Sequence, residues 1–112
     1  MKPTALPHLF IFRDSEGMPE PTPEQITALL RWMQSLKSKG QLLEQSPLGP
    51  AGKVVRASGV TDGPFAESKE VVGGYMLVAA ADLAAAVRIA RGCPILAAGT
   101  SLEVRPVSPW TE

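Results

Sequence analysis

Residues 71–80 read Val-Val-Gly-Gly-Tyr-Met-Leu-Val-Ala-Ala. Side chains on a strand alternate between two faces. One face here would carry Tyr75, Leu77 and Ala79, and the other Met76 and Val78. A strand apolar on both faces belongs at the centre of a sheet. Gly73-Gly74 would weaken its interior, so the pair marks a bulge or a close approach by backbone or ligand. Downstream, Asp82 suits the N-cap of a helix over Leu83–Arg91, ended by Gly92 and stopped by Pro94. Leu102–Val107 follows as a strand, Leu102 and Val104 alternating with Glu103 and Arg105. The second half therefore reads β-α-β.

Upstream, the pattern repeats. Leu6–Phe12 is a strand, with Leu6, Phe10 and Phe12 on one face and Leu9 and Ile11 on the other. Ser15–Pro23 holds Gly17, Pro19 and Pro21 and reads as a loop. Thr22, Pro23 and Gln25 form a capping-box start. Ile26, Leu29, Leu30, Met33 and Leu36 then recur at helical spacing, and Trp32 packs beside Leu29 and Leu36. Gly40 suits a left-handed cap after Lys37 and Lys39. Gln41–Ser46 is a second strand and Lys53–Ala57 a short extended piece, with Asp62-Gly63-Pro64-Phe65 as a turn. The order β-α-β-(hairpin)-β-α-β predicts an α+β, ferredoxin-like protomer whose first and third main strands are central. Two helices cover one face of such a sheet, and the other keeps large apolar side chains, too contiguous for a monomer surface. A second copy packed sheet to sheet is the simplest cover, giving a homodimer with a cleft between or beside the sheets. Folding of loops 13–23 and 47–70 over that face is the alternative.

Composition bounds the functional classes. The 112 residues fit one domain, 1–112, and eleven Lys plus Arg balance eleven Asp plus Glu. That balance argues against nucleic acid or anionic lipid as partner. One cysteine, Cys93, and one histidine, His8, exclude a disulfide framework and the usual structural zinc ligands, so no metal is expected. No signal peptide or membrane span is read, which predicts a cytoplasmic protein. No phosphate loop, dinucleotide fingerprint or nucleophile elbow occurs, and no cofactor is expected.

Asp-Gly-Pro-Phe-Ala-Glu-Ser-Lys-Glu (62–70), followed by Val-Gly-Gly-Tyr (72–75), resembles the signature of the YCII-related, or DGPF-domain, proteins. Gly-Pro-Ala-Gly-Lys-Val-Val (49–55), Gly92-Cys93-Pro94 with Ile95-Leu96, and Leu-Glu-Val-Arg-Pro-Val (102–107) are similar to further family segments, so the likeness spans nearly the whole chain. The resemblance implies a dimeric α+β barrel of ferredoxin-like protomers. It implies no settled reaction. Some members have been regarded as enzymes because of an acidic residue and a histidine near the dimer cleft, and others accompany sigma-factor-like regulators.

The candidate residues each have a structural and a functional reading. Asp62, Gly63, Pro64 and Phe65 either build a turn anchored by Phe65 or set Asp62 at a pocket as acid, base or polar anchor. Glu67 and Lys69 share a face that Glu70 opposes, and the three form either a solvated edge with an ion pair or an acid–base or carboxylate-binding cluster at a cleft mouth. Gly74 leaves room for a ligand, and Tyr75 is a core residue whose phenol needs a partner. His8, with Leu6 and Phe10 on its face, is either a hydrogen-bonded structural residue or, with Asp62, a catalytic candidate. Cys93 sits at a helix C-terminus, where the dipole disfavours a thiolate. These residues are expected to share one cleft reaching the open sheet face: Asp62, Phe65, Glu67 and Tyr75, with His8 nearby. Two functions follow. One is an enzyme or binder for a small molecule, for instance a carboxylate or carbonyl compound. The other is a non-catalytic dimeric interaction or regulatory module.

Overall fold

The computed structural model describes residues 5–15, 17–63 and 70–108. Among the described residues, six strands and two α-helices run in the order β1 (Leu6–Ser15), α1 (Pro23–Ser38), β2 (Leu42–Pro47), β3 (Gly52–Arg56), β4 (Gly59–Gly63), β5 (Glu70–Ala80), α2 (Leu83–Ala90) and β6 (Ser101–Pro106). A short 3₁₀ helix, Pro94–Ala98, precedes β6. The main sheet has four strands in the order β2-β5-β1-β6, and every pairing in it is antiparallel. β1 and β5 are central, as their two-sided apolar character requires. The arrangement is consistent with a ferredoxin-like α+β fold.

Both helices start as the sequence dictates. Thr22 Oγ1 accepts from the Gln25 amide, and Gln25 Oε1 accepts from the Thr22 amide. The Asp82 carboxyl accepts from the Ala85 amide at 2.8 Å. Gly40, at φ 73°, takes the left-handed conformation that closes α1. The core lies on the helix side of the sheet and gathers Phe10, Phe12, Leu36, Met76, Val78, Ala86, Ala90 and Ile95. Trp32 packs at its margin, and a Cβ on Gly92 would stand 3.1 Å from the Trp32 Nε1. On the opposite face, Ile11 pairs with Tyr75 and Leu9 with Leu77. None of these four is buried, because no described element covers them.

Two expectations need correction. Asp62 and Gly63 are not turn residues: they end β4, opposite Lys53 and Gly52. The reversal falls earlier, between Arg56 and Gly59, where Gly59 supplies φ 143°. The loop after β1 does not cover the open sheet face either. Met18 and Pro21 lie on the helix side with α1 and the 3₁₀ helix. The expected roles of Pro64, Phe65, Glu67 and Lys69 lie outside the described residues.

Candidate functional site

The glycine pair in β5 shapes the site. Register between β1 and β5 slips at Phe12/Arg13, so Gly74 faces Phe12 while Val72 faces Arg13, and Gly73 is the bulged residue. A Cβ on Gly73 would stand 2.8 Å from Asp14 Oδ2, and one on Gly74 would stand 2.9 Å from the Ser46 carbonyl oxygen and 3.2 Å from the Pro47 Cα. Both readings of the pair therefore hold together: a bulge, and close approach by backbone and by a carboxyl group. The bulge turns the end of β1 so that Asp14 leans over β5. Thr100, buried just before β6, donates its hydroxyl to Asp14 Oδ1 at 2.7 Å. That bond ties the two chain segments together across the sheet end.

Next to Asp14 is a cavity of about 420 Å³. Buried Phe12, Gly74, Ile95 and Thr100 form its floor. Leu29 and Met33 of α1 form a wall, and exposed Pro19, Glu20 and Leu30 its rim. The volume lies within the range of small-molecule sites, which combine apolar walls with a few polar groups. α1 explains the space. Only Leu36, near its C-terminus, is buried; Ile26 and Leu30, in its first half, are 44% and 57% exposed. Leu29, Trp32 and Met33 are partly buried against the core, and the cavity opens beside Leu29 and Met33.

Of the candidates from sequence that lie among the described residues, only Gly74 and Tyr75 share this cavity. The Tyr75 phenol belongs to the opposite sheet face by strand alternation, and donates to Glu44 Oε1 at 2.8 Å. That bond holds the phenol above its ordinary pKa of 10.0, and burial and the negative charge of Glu44 push the same way. His8 is 1% exposed among the core residues on the helix side, and its Nδ1 donates to the Leu6 carbonyl oxygen at 2.9 Å. Its expected place beside Tyr75 is therefore corrected: the two side chains lie on opposite sheet faces, three register positions apart on β5. Asp62 is also elsewhere. It is exposed on the β3–β4 hairpin and pairs with Lys53, whose side chain is 67% exposed. Gly63 sits in the same hairpin, against Gly52 and Val54. Cys93 is buried, and burial pushes its thiol up.

Asp14 and Thr100 were missed in the sequence. Asp14 stands where the first strand gives way to a Gly/Pro-rich loop, so it reads as a strand terminator. Thr100 lies 86 positions away. Only the clash at Gly73 betrays the carboxyl, and that signal needs the register. Among the described residues, no group of three or more His, Cys, Asp and Glu could hold a metal ion. No helix of the described residues is long and apolar enough to cross a membrane.

A family model, the YCII-related domain, matches residues 7–111. No curated protein matches the chain.

Proposed function

Since the chain belongs to the YCII-related family, we propose that it is a small-molecule binder or enzyme working from the cavity beside Asp14, as a homodimer. One observation carries this reading: a carboxyl group, fixed by Thr100 at 2.7 Å, stands on the wall of an apolar cavity of about 420 Å³. A rigid polar group in an apolar recess orients a ligand, and a carboxyl can also take or give a proton. The described lining holds no Cys, His or Lys. Chemistry there would run by proton transfer at Asp14. The dimer is supported by the open sheet face, where half-buried Leu9, Ile11 and Leu77 have no covering layer among the described residues.

A fragment library read by thermal shift tests the site. Ala98 lines the cavity from the 3₁₀ helix and is exposed, so Ala98→Phe should fill the space without disturbing the core. Hits that stabilise the protein and disappear in Ala98→Phe, yet persist in Val60→Phe on the distant hairpin, are the expected result. Hits indifferent to Ala98→Phe, or none, would reject the cavity as the site. A second reading, a non-catalytic interaction module, draws on the same open face and on the exposed hairpin valines, Val55 at 74% and Val60 at 61%. It requires no ligand, so the screen separates the two.

A further inference from the structure

We infer that the cavity takes ligands with an apolar body and a cationic head, a primary ammonium group seated on Asp14. This rests on the reading of the cavity as a ligand site and adds the ligand's class. The charge of the lining is one-sided. Asp14 and Glu20 are its ionisable acids, and the described lining contains no Lys, Arg or His. A carboxylate or phosphate entering here would meet like charge and find no cationic partner among the described residues.

Asp14 has the geometry for the task. Oδ1 accepts from Thr100, which fixes the plane of the carboxyl group. Oδ2 lies against the bare Cα of Gly73, only 2.8 Å from where a Cβ would be. No protein donor among the described residues reaches Oδ2. One oxygen is thus anchored, and the other, with no donor among the described residues, can accept from a ligand. An ammonium group offers three donors and supplies charge-assisted hydrogen bonds, the strong kind. Phe12, Leu29, Met33 and Ile95 surround the rest of the space and favour an apolar body. Gly73 is what admits the carboxyl to this position, which links the glycine pair to ligand choice.

Three probes of one shape test this: 2-phenylethylamine, 2-phenylethanol and phenylacetate, titrated into the full chain at pH 7 by calorimetry or ligand-observed NMR. The amine should bind roughly tenfold or more tighter than phenylacetate, the scale of one charge-assisted hydrogen bond. Asp14→Asn keeps an acceptor for Thr100 and removes the charge. It should weaken the amine by roughly tenfold and 2-phenylethanol much less, because the alcohol carries no charge to lose a partner. Glu20→Gln, at the exposed rim, should weaken the amine less. Phenylacetate binding as tightly as the amine would overturn the proposal, as would an amine indifferent to Asp14→Asn. If Asp14→Asn fails to fold, the order of the three probes on the wild-type chain decides. Binding of none of the three also overturns it. The fragment screen then speaks separately: hits lost in Ala98→Phe keep the site and reject the cationic class, and no hits reject both.

Discussion

Gly73 and Gly74 are adjacent and chemically identical, yet the groups they face differ. At Gly74 the obstacle is backbone, the Ser46 carbonyl oxygen and the Pro47 Cα. Backbone yields only by shifting β2, so Gly74→Ala should cost about 1–3 kcal/mol in urea unfolding. At Gly73 the obstacle is the Asp14 carboxyl. Gly73→Ala should cost less stability but displace Oδ2, so amine binding falls while 2-phenylethanol binding survives. Equal stability losses in the two variants would contradict this assignment. Tyr75 is the only tyrosine, so its absorbance titration is unambiguous. Its midpoint should lie above 10.0 and fall in Glu44→Ala, which removes both the hydrogen bond and the charge. The sign for stability follows from the raised value. The folded phenol holds its proton more tightly than the unfolded one. Its contribution is present below pH 10.0 and is lost as pH rises through the folded value. A midpoint unchanged by Glu44→Ala would show that the bond does not persist in solution.

At the scale of elements, the helices were the most legible features. Thr22, Pro23 and Gln25 announce the start of α1, and Thr22→Ala should cost about 1 kcal/mol through loss of the cap. The two central strands were equally plain, because β1 and β5 must be apolar on both faces. The hairpin reverses earlier than its composition suggests. Asp62-Gly63-Pro64 has turn composition, but the reversal uses Gly59, whose positive φ permits it earlier. Asp62 consequently sits in a strand, cross-paired with Lys53. Both side chains are mostly exposed, so Asp62→Ala should change stability by less than about 1 kcal/mol. A larger loss in thermal unfolding would mean that the pair is shielded from solvent. The cavity was not legible at all. It depends on the incomplete burial of the first half of α1, and on a contact between Asp14 and Thr100 that no local pattern encodes. Helical periodicity marks Ile26 and Leu30 as inward-facing, and it is silent on how far α1 approaches.

At the scale of the molecule, the Cα envelope measures 50 × 46 × 18 Å. Its short dimension holds one sheet and one helical layer, and no described element forms a third layer on the open face. The Cα radius of gyration is 15.7 Å, above the value near 13 Å expected for a compact chain of this length. Light scattering should therefore return about twice the 11.9 kDa of one chain at micromolar concentration. Leu77→Arg, at the middle of the open face, should return one chain's mass with the fold intact. A monomeric wild-type chain would leave that face without a partner copy.

The central claim concerns the other side of the sheet, and amide chemical shifts test it most directly. The ¹⁵N-labelled protein is titrated with 2-phenylethylamine and, separately, with 2-phenylethanol. The account expects the largest shifts at the amides of Asp14, Gly73, Gly74 and Thr100, with Gly59 and Asp62 unmoved. Shifts confined to the hairpin or to Leu9, Ile11 and Leu77 on the open face, or no shifts from either probe, would contradict it.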